Sequence, residues 1–135
     1  MILLLGAVGV QLGTRFLVAK ECGVHQNYKN KVLKANDIAT MATGKRLGHP
    51  VRSIKNPYTK EYFKLEYSNI SDEELEAYGR GALYRAAVEG DEKTGCFLAG
   101  QIAGMVNKEQ TAKEIIEEIF TQAEDVLKGA TKWVK

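Results

Sequence analysis

Apolar residues run without helical gaps from Met1 through Val10 and give way at Gln11 to a polar, glycine-containing turn. This is the pattern of a buried parallel strand opening into a loop. Arg15 to Glu21 then starts a segment that Gly23 can stop. Between His25 and Ala35, the residues Tyr28, Val32 and Ala35 recur at spacings of four and three, with Lys29, Lys31 and Lys34 on the other faces. The spacing predicts a short amphipathic helix with a solvated basic side. Residues 36 to 70 show weak periodicity, broken by Gly48-His49-Pro50 and Asn56-Pro57, and are expected to form an irregular excursion, a lid or a linker.

Helical patterning returns at Ser71. Ser71 and Glu74 stand as N-cap and N3 of a capping box, with Asp72 and Glu73 well placed in the first turn. A helix is predicted from there to about Gly90, with Leu75, Tyr78, Ala82, Leu83 and Ala86 as its apolar stripe. Gly79 and Gly81 lie inside it, each costing about 1 kcal/mol against alanine, which implies close approach of another backbone or a ligand. Cys96 to Val106 is nearly uncharged. A last helix is predicted with Asn107 as N-cap, Gln110 at N3, and an apolar face running from Ile115 through Phe120 to Leu127.

A buried parallel strand needs neighbours on both sides, and after residue 16 only helical and irregular patterns follow. The chain therefore reads as a piece of a larger barrel or sheet. Its 135 residues are the size of one domain, and its ordinary hydrophobic content argues against disorder. The formal charge of +2 hides an asymmetry: residues 1 to 67 carry eleven basic side chains against four acidic, and residues 68 to 135 carry eight against thirteen. The halves can pair with each other, or the basic half can face an acidic partner or phosphates. Cys22 and Cys96 lie far apart without metal-ligand or disulfide spacing, which fits a reducing, cytoplasmic setting. The apolar start is too short to span a membrane, and no membrane association is expected.

Among residues that can carry chemistry, the Gly13-Thr14 turn after the strand offers backbone N–H groups and a hydroxyl to a phosphate, or simply makes the turn. Gln11, and Gln101 between Gly100 and Gly104, are amides in apolar runs that need hydrogen-bond partners from the protein or a ligand. His25 and His49 stand apart from each other and from any carboxylate at ligand spacing, so no metal site is expected. The two cysteines read as small buried hydrophobes. The basic run Lys45, Arg46, Arg52, Lys55, Lys60 and Lys64 lacks a nucleic-acid fold signature and reads first as solvated surface, then as a face for an acidic protein.

Three blocks, Gly-Val-Gln-Leu-Gly-Thr-Arg-Phe (9 to 16), Gly48-His49-Pro50-Val51-Arg52 with Lys55-Asn56, and Ala99-Gly100-Gln101-Ile102-Ala103-Gly104, together resemble the C-terminal part of the nitronate monooxygenase and enoyl-[acyl-carrier-protein] reductase II family. The likeness extends over nearly the whole chain and is greater for the reductase branch. It implies an α/β fold: the last strand of an FMN-binding (β/α)₈ TIM barrel followed by a helical part, mostly α as an isolated chain. Residues 1–35 would be the last barrel strand and its helix, 36–70 the excursion beside the active site, and 71–135 the helical C-terminal part.

By the same resemblance Gln11, Leu12, Gly13 and Thr14 fall where the family binds the FMN phosphate, and Gly100-Gln101 on a segment returning towards the flavin. The implied reaction passes a hydride from NADH or NADPH through FMN to an enoyl thioester on acyl carrier protein, in fatty-acid synthesis. Nitronate oxidation is the rival chemistry within the family, and a non-catalytic helical module binding a protein partner is the rival outside it. A homodimer is compatible with either. Seven strands and the histidine that family members use near the flavin correspond to nothing in these residues, so no catalytic residue is assigned and the chain alone is expected to be inactive.

Overall fold

The computed structural model describes residues 6–130. Of the predicted opening strand, residues 1–5 lie outside the described residues. The remainder corrects the expectation: residues 6–12 form no strand, and Val8 and Val10 are exposed. A parallel strand is held by ladders on both edges, and the sheet that exists among the described residues lies elsewhere in the chain.

The first helix, α1, is a single turn, Thr14–Leu17. It leads to α2, Gln26–Leu33, which matches the predicted amphipathic helix. His25 caps α2, its Nδ1 accepting from the Asn27 amide at 3.1 Å. The solvated basic side needs one correction. Lys29 is 4% exposed, and its ammonium donates to the Ala19 carbonyl at 2.7 Å and pairs with Glu109 at 3.2 Å. A buried lysine is tolerated where its donors are matched in this way.

Residues 36–70, expected to be irregular, contain regular structure. Strands β1 (Thr40–Thr43) and β2 (Val51–Ile54) form an antiparallel hairpin in which Thr40 faces Ile54 and Thr43 faces Val51. Gly44, at φ +79°, closes its turn where a Cβ would stand 2.6 Å from the His49 carbonyl oxygen. Helix α3, Pro57–Glu66, follows directly. The Asn56-Pro57 signal is a helix start: Asn56 and Thr59 form a reciprocal cap and proline occupies the first helical position. Asn56 is buried, and its amide nitrogen also donates to the carbonyls of Glu92 (3.1 Å) and Gly95 (2.7 Å).

The Ser71–Glu74 capping box opens α4, Asp72–Gly79, as expected. The predicted single helix nevertheless breaks at Arg80-Gly81, where Gly81 takes φ +74°, and resumes as α5 (Ala82–Tyr84), which runs into a π-helical turn over Arg85–Glu89. Gly79 admits the Tyr62 ring, 3.5 Å from where its Cβ would be. The close approach foreseen there comes from a packed aromatic ring. Segment 97–99 then lies along β2, with the Ile54 amide donating to the Phe97 carbonyl (2.8 Å) and the Ala99 amide to that of Arg52 (3.1 Å). A 3₁₀ turn, Gln101–Met105, leads to α6, Ala112–Ala130. The start of α6 is four residues later than the Asn107–Gln110 pattern predicts, because Thr111 and Glu114 make the capping box instead.

Two apolar clusters fill the interior. One gathers Val18, Tyr28, Val32, Ile54 and Phe97 between α2, the hairpin and the 97–106 segment, with Tyr28 and Phe97 in edge contact at 5.0 Å. Burial pushes the Tyr28 phenol up, and its hydroxyl donates to the Leu98 carbonyl at 2.7 Å. The other joins Tyr58 and Tyr62 of α3 to Leu75 and Ala82. Burial likewise pushes the Cys96 thiol up, consistent with an inert cysteine. Among the described residues no helix is long and apolar enough to cross a membrane, and no three His, Cys, Asp or Glu residues are grouped to hold a metal.

Candidate functional site

The candidate site is assembled from the two ends of the first cluster. Hairpin pairing fixes 97–99, which places Gly100 beside α1, where its amide donates to Thr14 Oγ1 at 3.0 Å. A Cβ on Gly100 would stand 3.5 Å from the same hydroxyl, an ordinary contact. From Gly100 the chain turns at once, the Ala103 amide donating to the Gly100 carbonyl at 3.0 Å. Ala103 is fully buried, and a Cβ on Gly104 would stand 2.7–2.9 Å from the Asn36-Asp37 backbone, so the turn is seated against the chain after α2.

Two of the sequence-predicted residues are thus brought together across 86 positions: Thr14 and Gly100. Gly13 neighbours them, and its carbonyl accepts from the amides of Phe16 (2.9 Å) and Leu17 (3.3 Å). Gln11, Leu12 and Gln101 are exposed, and neither glutamine amide has a hydrogen-bond partner among the described residues. That corrects the expectation of buried amides: without a sheet around residues 6–12, nothing desolvates them.

Sequence reasoning missed the polar bracket behind α1. Arg15 donates to Gln110 Oε1 and to the Lys108 carbonyl, Gln110 Nε2 donates to Glu118 at 2.7 Å, and Lys108 pairs with Glu118 at 2.9 Å. Lys108 and Gln110 hold the Glu118 carboxyl below its ordinary range. Arg15 lies 93 and 95 positions from Lys108 and Gln110, and the set follows no motif, so no local signal marks it. The bracket turns Arg15 away from the Gly13-Thr14 turn and anchors α1 to the start of α6.

The turn's donor set suits one end of a phosphate. The amides of Thr14 and Arg15, first in α1, donate to no carbonyl among the described residues. Thr14 Oγ1 accepts from Gly100 and keeps its own proton to donate. A Cβ on Gly13 would meet nothing within 4 Å, leaving the backbone open to approach. Two amides and a hydroxyl are therefore left free to donate to a phosphate group on this side.

Solved structures with the same architecture include FabK from Thermotoga maritima. The chain superposes on it with a TM-score of 0.92 and 36% identity, over 98% of its own length and 42% of the other's. The fold of this chain is thus that of one part of the longer FabK structure. A family model described as nitronate monooxygenase matches residues 1–122, and the chain belongs to that family. Curated relatives include probable nitronate monooxygenases of Staphylococcus saprophyticus, 29% identical over 93% of this chain, and of Bacillus subtilis, 26% identical over 87%. The chain spans about a third of their length, 35% and 34%.

Proposed function

We infer that the chain is the C-terminal portion of an FMN-dependent oxidoreductase, an NAD(P)H-dependent enoyl-[acyl-carrier-protein] reductase. The observation that carries this reading is the Thr14–Gly100 hydrogen bond, which joins the two segments that the family resemblance assigns to the flavin. Bound FMN would supply the hydride relay between nicotinamide and the enoyl double bond. This chain's part is to bind and orient. The Thr14 hydroxyl and the amides of Thr14 and Arg15 hold the phosphate end, while Gly100 fixes the Thr14 rotamer and leads the 3₁₀ turn past the site. No residue here is assigned a proton-transfer role, and the chain by itself is expected to be inactive.

The likeness to FabK, at 36% identity, supports the reductase branch. The names of the curated relatives support a second reading, oxidation of nitronates. One pair of assays on the complete enzyme separates them. NAD(P)H consumption that requires an enoyl thioester supports the first, whereas oxygen consumption with a nitronate and no nicotinamide supports the second. A complete enzyme that purifies without flavin would overturn both and favour a non-catalytic module.

A further inference from the structure

The basic run of the sequence divides in space. Arg46 turns to Asp72 at 2.8 Å and Arg52 to Thr40 Oγ1 at 3.1 Å. Lys55, Lys60 and Lys64 instead join Lys31 and Lys34 of α2 and Lys93 along two adjoining open hollows of about 440 and 720 Å³. Six lysines and two glutamates, Glu61 and Glu92, line this groove, a local balance of +4 in a chain of formal charge +2. The rest of the molecule is therefore net acidic.

Lys31 and Lys64 are partnered by Glu92 and Glu61, both at 3.2 Å, and Lys55 donates to the Ile38 carbonyl at 2.7 Å. The side chains of Lys34, Lys60 and Lys93 have no partner among the described residues. Ile38, 68% exposed, stands at one end of the groove.

We propose that this groove docks an acidic helical face of a protein partner; on the reductase reading above, on which the identity of that partner rests, it is the acyl carrier protein. Lys60 and Lys64 lie one turn apart on α3, as do Lys31 and Lys34 at the end of α2, so the charges form rows at the spacing of acidic side chains on a helix. Point charges spread over an open groove steer a charged surface and set its register, whereas a free phosphate needs converging donors in a closed cradle. The exposed Ile38 beside the lysines gives an apolar anchor that a protein uses and a nucleic-acid backbone does not.

The test is the binding of fluorescently labelled acyl carrier protein to the full chain, followed by anisotropy at low and high salt. The variant Lys34→Glu/Lys60→Glu/Lys93→Glu is compared with Lys20→Glu/Lys45→Glu/Lys113→Glu, which makes the same change in net charge outside the groove. Thermal melts check that both variants are folded. Salt-sensitive binding that weakens about tenfold or more in the groove variant and less than about threefold in the control is expected. Equal weakening in both, no binding at low salt, or equally effective competition by duplex DNA would overturn the proposal. Turnover of a carrier-free enoyl thioester by the complete wild-type enzyme tests the reductase reading separately, so the two can fail independently.

Discussion

The middle of the molecule and its two flanking segments are built from similar residues and end in opposite states. Between Val18 and Val106, two clusters of large apolar side chains find partners within the chain, with Leu75 and Phe97 fully buried. In the flanks they do not. Val8 is fully exposed and Phe120 67%, and of the stripe predicted on α6 Ile115 alone is buried. Both flanks border the Thr14–Gly100 site, through residues 6–13 on one side and the bracket to α6 on the other. Amphipathic patterning announces that a face seeks cover, and only the fold shows whether the same chain supplies it.

The largest contrast comes from truncating one aromatic in each region. Phe97→Ala removes the edge partner of Tyr28 from a packed cluster and should cost about 3–5 kcal/mol in urea unfolding of this chain, against less than about 0.5 kcal/mol for Phe120→Ala. A comparable loss from Phe120→Ala would show that the α6 face is covered in solution and would erase the distinction between the regions. Next in size is Gly104→Ala, whose methyl would press on the Asn36-Asp37 backbone; a loss of about 1–3 kcal/mol is expected, with weaker FMN binding by the complete enzyme because the 3₁₀ turn is displaced.

Thr14→Val deletes the acceptor of the Gly100 amide and should cost about 1 kcal/mol of stability, with a fall in FMN affinity measured by flavin fluorescence. Thr14→Ser should retain both. Flavin affinity unchanged in Thr14→Val would remove the site from the flank altogether. The smallest effect is on pH. Hydrogen bonds from Thr94 and from the Lys93 and Thr94 amides hold the Asp91 carboxyl low, and those from Thr111 do the same for Glu114. A depressed carboxylate stabilises the folded state above its unfolded range, and that stabilisation is lost as pH falls through the lowered value. The melting temperature should therefore decline slightly as pH drops below the ordinary carboxylate range, and Glu114→Gln should flatten that decline. An unchanged slope in the variant would mean that the α6 cap titrates without consequence.

Local chemistry made much of this legible in the sequence. The Ser71–Glu74 box and the spacing of Tyr28 and Val32 sufficed for α4 and α2, because caps and helical periodicity act within a few residues. The same rules, applied to Asn56-Pro57-Tyr58-Thr59 and to Thr111–Glu114, would have located α3 and the start of α6. The three family blocks were also readable, and the family model confirms the membership they implied. By contrast, the burial of Lys29 depends on carbonyls at Ala19 and Lys20 and on Glu109, which no local pattern brings near.

The sequence by itself thus determined where α2 and α4 begin, which residues are apolar, and to which family the chain belongs, since these depend on neighbours in the chain or on short ordered motifs. Tertiary structure alone decided that residues 6–12 form no strand, that Thr14 meets Gly100, and that lysines from α2, α3 and position 93 share one groove. Each of these depends on what lies across space, and a strand, a buried donor or a charged surface has no state of its own until its neighbours are placed.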